Sequence, residues 1–146
     1  MQVTDKPAKI SSYQYTDVIP DQSIKDIDIM LQRFGAGNVW WNMINPEDSF
    51  ILFESFEKGQ QLIFKVVIPY VTNSGLYNKP QSLRILYHKI KALLIDLELG
   101  SKVYEIFANN LVISWNGSQP ISIGESSSKM IEDGNAKNIY LPYKQV

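Results

Sequence analysis

Cysteine is absent from the 146 residues, and histidine occurs once, as His88. These two scarcities remove whole classes of chemistry. No thiolate nucleophile exists, and neither a Cys-rich nor a three-His zinc centre can be assembled within one chain. Charge of one sign is not in excess either: 14 Lys and Arg stand against 15 Asp and Glu, a formal net charge of −1. No global field therefore steers the molecule toward nucleic acid or an anionic membrane, and any phosphate site must be a local patch. Long apolar runs are missing. Stretches such as Ala92 to Ile95 fall far short of the roughly 20 residues that span a bilayer. The N-terminus, Met1-Gln2-Val3-Thr4-Asp5-Lys6-Pro7, has no signal-peptide core. A phosphate-cradling glycine loop and a nucleophile elbow are also absent. The expectation is a cytoplasmic protein with no membrane partner, no metal and no cofactor.

What is present is the composition of a single globule. The chain is 45% hydrophobic and 20% charged, and aromatics reach 12%, enough for a core with aromatic surface to spare. We expect a flexible arm over residues 1–12 and one domain over 13–146. Tyr13 and Tyr15 alternate with polar neighbours, as in a short edge strand. Ile24, Ile27, Leu31 and Phe34 recur at helical spacing after Asp21, which is placed to cap the helix, and Gly35 is placed to end it. Three strands follow, over 39–44, 49–56 and 60–70, with Lys58-Gly59 as a tight turn. Residues 71–79 read as a loop. The strongest helix runs from about Pro80 to Leu99, with Leu83, Leu86, Tyr87, Ile90, Leu93, Leu94 and Leu97 as its apolar stripe. Leu86, Ile90 and Leu93 are expected to be nearly fully buried. Beyond Ser101 the pattern allows a short helix at Val103–Phe107, a strand at Leu111–Trp115 and one or two helical turns between Ser127 and Asp133. The apolar tail Ile139-Tyr140-Leu141-Pro142-Tyr143 is able to dock. The fold class is α+β: an antiparallel sheet of three to four strands packed against two main helices, with an irregular C-terminal extension.

The helix ending Leu31-Gln32-Arg33-Phe34-Gly35-Ala36, the strand Phe64 to Pro69, Ala92-Leu93-Leu94-Ile95, and Tyr104-Glu105-Ile106-Phe107-Ala108-Asn109-Asn110-Leu111-Val112-Ile113 carry a resemblance. Through these scattered positions the chain resembles an uncharacterised family of small proteins from tailed bacteriophages, prophages and related mobile elements. It departs from that family at Ser118-Gln119-Pro120 and Ser126-Ser127-Ser128, where the family carries a basic-glycine turn and an amphipathic helix. The resemblance implies a viral or mobile-element origin and no particular activity. The helix–three strands–helix order is also that of the double-stranded-RNA-binding module, a topological likeness that carries no function.

Two groups of residues stand out as candidate sites. Arg84, His88, Lys89 and Lys91, with Lys79 just ahead, fall within a few helical turns, as phosphate contacts require. A solvated helix face is the commoner meaning of such a pattern. Trp40-Trp41 sits in a strand, so the two rings point to opposite faces. At most one packs into a one-sided core, and the other can stack on a base or anchor a protein, unless the C-terminal segment covers it. The carboxylates, Glu54 and Glu125 among them, read as solvated. Two non-enzymatic functions remain open. One is binding of nucleic acid or nucleotides in replication or recombination. The other is inhibition of host antiviral defence by binding a host protein or sequestering a nucleotide signal. A second copy of the chain is a further possible partner.

Overall fold

The computed structural model describes residues 11–134. Its elements are α1 (Pro20–Arg33), β1 (Val39–Asn42), β2 (Phe50–Glu57), β3 (Gln60–Val67), β4 (Thr72–Asn73), β5 (Leu76–Tyr77), α2 (Lys79–Glu98), α3 (Val103–Ile106), β6 (Val112–Asn116), β7 (Gln119–Ser122) and α4 (Ile123–Glu132). This is an α+β fold. Strands β1, β2 and β3 form an antiparallel meander in that spatial order, and β4–β5 and β6–β7 are separate two-stranded hairpins. The β2–β3 turn is two residues long, and both take positive φ, Lys58 at 51° and Gly59 at 78°. That is the turn whose twist matches a hairpin, and glycine adopts it at no steric cost.

Alternation along the strands divides the meander into two faces. Ile51 and Phe53 of β2 and Phe64 and Val66 of β3 point to one side and pack with Ile27 and Leu31 of α1 and Leu83, Leu86, Ile90 and Leu94 of α2. Phe53 and Phe64 stack at 5.3 Å, and Phe107, which follows α3, meets the Phe53 ring edge-on at 5.1 Å. All three rings are essentially inaccessible, and aromatic contacts of this kind add to the area they bury. The other face carries Trp40, Phe50, Leu52, Glu54, Ile63 and Lys65.

The structure departs from the sequence expectations at several points. Residues 12–15 form a tight turn with Tyr13 at φ 59°, not an edge strand. The Ser12 carbonyl accepts from Gln81 Nε2 at 2.8 Å and the Gln14 carbonyl from Asn78 Nδ2 at 3.2 Å, so this turn is tied to the start of α2. Of the arm expected over 1–12, residues 1–10 lie outside the described residues, as does the 139–143 tail. Helix α1 starts on Pro20, behind Ile19 with no side-chain cap. Asp21 lies inside the first turn, where its charge favours the positive helix end. Residues 71–79 contain the small β4–β5 hairpin instead of an unstructured loop. Leu93 is only partly buried, whereas Leu94 is 2% exposed. Through residue 134 the C-terminal extension is regular, a hairpin followed by a helix with a Ser122–Glu125 capping box.

Candidate functional site

The basic face of α2 does not survive folding as one surface. Arg84 is 8% exposed and lies against α1, where its guanidinium donates to Ser23 Oγ at 3.0 Å and pairs with Asp26 Oδ2 at 3.1 Å. The group also stacks over Tyr87 at 4.3 Å. Gln22 donates to Asp26 at 2.7 Å, and with Arg84 it holds that carboxyl below its ordinary range. His88 lies flat against Tyr13, rings parallel within 5° and 4.6 Å apart, with Tyr87 edge-on at 5.0 Å. Burial, then the nearby Arg84 and Lys91 charges, lower its pKa and favour neutral imidazole. Lys79, Lys89 and Lys91 remain exposed. Five candidates thus resolve into three surface lysines, an interhelical clamp and a stacked ring. The reason is that an arginine stem is long enough to leave the polar stripe and fill a gap between helices.

Trp40 and Trp41 part as the strand pleat requires. Trp41 turns toward the helices and donates from Nε1 to Asp28 Oδ1 of α1 at 2.7 Å, so it fastens β1 to α1. Trp40 lies on the opposite face and keeps 46% of its surface exposed.

That opposite face is partly covered by the β6–β7 hairpin, and one buried side chain links the two. Lys65 of β3 is 7% exposed. Its ammonium donates to the Pro120 carbonyl at 2.9 Å and pairs with Glu125 at 2.9 Å, over the ring of Phe50 at 5.0 Å. A buried ammonium needs such partners, because an unpaired charge away from water is costly. Among the described residues, β7 and the start of α4 supply them. Asn110 Nδ2 also donates to the Lys65 carbonyl at 2.9 Å, and Leu111 bridges to Phe64.

Docking the hairpin here places Trp115 of β6 across from Trp40. The two rings wall an open cleft of about 310 Å³ floored by Leu52 and Ile63. Trp115 is 57% exposed. Every lining side chain is apolar apart from the two indole N–H groups. Beside the cleft, Glu54 is 5% exposed and accepts from Asn38 Nδ2 and, at 2.5 Å, from Gln61 Nε2. Gly37 packs so closely that a β-carbon there would lie 2.9 Å from Glu54 Oε1. Glu54 and Glu125 are therefore structural carboxylates, contrary to the solvated reading.

A second depression of about 360 Å³ lies on the helix-covered side, between Leu62, Phe64, Tyr104, Leu111 and Ile123. The Lys102–Glu57 pair spans 3.7 Å at its rim. It has one aromatic on its open side, against two in the Trp cleft. Among the described residues no three His, Asp or Glu side chains gather as a metal site, and no helix is long and apolar enough to cross a membrane.

Trp115 is the aromatic site residue that sequence reasoning missed, along with the floor residues Leu52 and Ile63. Its only signal was an aromatic just before the Asn116-Gly117 turn, and nothing local tells which surface that turn will overhang. No protein-family model, no curated protein and no solved structure matches the chain.

Proposed function

We propose that this is a non-enzymatic binding protein that grips a protein partner by an apolar or aromatic side chain seated between Trp40 and Trp115. The observation that carries this reading is the cleft itself: two half-exposed indoles lining one depression together with Leu52 and Ile63. Exposed tryptophans around an apolar pocket are the chemistry of interface hot spots. The phosphate reading has less support. Among the described residues no cation lines the cleft, Lys65 is neutralised by Glu125, and Arg84 is spent on Asp26. In the phage or mobile-element setting that the resemblance implies, the partner is a host protein and the effect is inhibition of host defence.

The test is selection from a displayed random-peptide library on the wild type, followed by calorimetric titration of the winners. Selected peptides should share an apolar anchor. Trp40→Ala or Trp115→Ala should then weaken binding by about 30-fold, the equivalent of a hot-spot loss of about 2 kcal/mol. Peptides indifferent to both substitutions would overturn the reading. So would micromolar binding of DNA, RNA or cyclic nucleotides that falls steeply with salt, since that dependence reports phosphate contacts.

A further inference from the structure

We infer that β1 is a self-association edge, through which two copies of this chain pair antiparallel about a two-fold axis at Trp40 and merge their three-stranded sheets into one of six. The inference goes beyond the proposed function and stands whether or not the cleft takes a partner.

The argument begins with where backbone groups point. Glu54 donates from its amide to the Asn38 carbonyl at 3.1 Å, and the ladder continues as Val39↔Phe53, Trp40↔Leu52, Trp41↔Ile51 and Asn42↔Phe50. Hydrogen-bonded and non-hydrogen-bonded pairs alternate along an antiparallel ladder. Asn38, Trp40 and Asn42 therefore bond to β2, while Val39 and Trp41 turn their N–H and C=O groups to the outer edge. Among the described residues neither has a backbone partner there.

The opposite edge of the same sheet is handled differently. On β3, the outward Lys65 carbonyl is taken by Asn110 Nδ2, and Leu111 pairs alongside Phe64 as an isolated antiparallel bridge. Exposed edges are usually blunted by lysine, proline or an inward charge. Residues 36–44, Ala-Gly-Asn-Val-Trp-Trp-Asn-Met-Ile, contain none of these. A chain with a formal net charge of −1 also brings little repulsion to a meeting of two copies.

The edge is self-complementary. With Trp40 on the axis, Val39 of each copy faces Trp41 of the other, and each such pair exchanges both backbone bonds, four in all. The Trp40 residues then form a non-hydrogen-bonded pair, the closer kind, on the open face, and bring their exposed rings together. The cleft floor, Leu52 and Ile63, lies on β2 and β3, inward from the seam.

The absence of cysteine makes the register directly testable, because any introduced thiol is unique. In this register the two residues at position 40 stand about 4.5 Å apart at Cα, within disulfide reach. Two residues at position 42 stand about 14 Å apart, out of reach. Trp40→Cys should therefore oxidise to a covalent dimer in a glutathione buffer, and Asn42→Cys should not. Sedimentation equilibrium should show wild-type dimer. Val39→Pro, which deletes an outward N–H without touching the β2 ladder, should show monomer with an unchanged far-UV spectrum. The inference is overturned if the wild type sediments as a monomer at sub-millimolar concentration. A dimer that survives Val39→Pro, with Trp40→Cys uncrosslinked, would place the interface elsewhere and overturn it equally. So would protection of the Val39 and Trp41 amides only when a selected peptide is added.

Discussion

At the scale of the residue, the same side-chain type takes opposite roles according to what lies within its reach. Lys89 and Lys91 stay in water, whereas Arg84, a turn or two away on the same helix, is enclosed between α1 and α2 with Asp26 and Ser23. We expect Arg84→Gln to cost about 1–3 kcal/mol, because Asp26 and Ser23 lose a charged donor. Lys89→Gln and Lys91→Gln should change stability by no more than about 0.5 kcal/mol, as surface substitutions do. Urea melts of the three single variants check this. Equal midpoints would show that the Arg84–Asp26 contact carries no stability.

At the scale of the element, α2 shows how far periodicity reaches. Its stripe is legible at a spacing of three and four, and Leu83, Leu86, Ile90 and Leu94 are all buried by it. The stripe is wider than the buried face, however, and which margin is covered depends on neighbours that no helical pattern contains. Leu94 is enclosed and Leu93 is half-covered. Leu94→Ala should therefore cost about 2–5 kcal/mol through lost transfer energy and a residual cavity, with Leu93→Ala costing clearly less. Thermal melts of the two variants provide the comparison. The reverse order would mean that α2 is rotated about its axis from the position described.

At the scale of the whole molecule, the Lys65 ammonium ties the C-terminal hairpin and α4 to the sheet through the Pro120 carbonyl and the Glu125 carboxylate, beside the Asn110 and Leu111 contacts and the buried Pro120 ring. Lys65→Met keeps the stem but removes those bonds and leaves the Glu125 carboxylate unpaired. Hydrogen exchange should then quicken over residues 112–132, while α1, β2 and α2 keep their protection, as expected when one cooperative unit opens apart from the rest. The same variant should weaken peptide binding at the cleft, since that docking helps to place Trp115. Uniformly unchanged exchange would show that apolar packing, not Lys65, seats the hairpin.

What the sequence by itself determined is whatever depends on near neighbours along the chain. It settled the α+β class, the two long helices, the Lys58-Gly59 turn and the fact that two adjacent tryptophans in a strand must part. Each follows from a spacing of a few residues and the steric limits of the backbone. The cleft was not legible in this way. Trp40 and Trp115 are separated by about half of the chain, and they line one cleft once Lys65, Asn110 and Leu111 have joined the C-terminal segment to the sheet. The enclosure of Arg84 and Glu54 has the same origin, as does the contrast between the covered β3 edge and a β1 edge that is unpaired among the described residues. Burial and charge pairing depend on distances in space, and these are set only when the whole chain has packed.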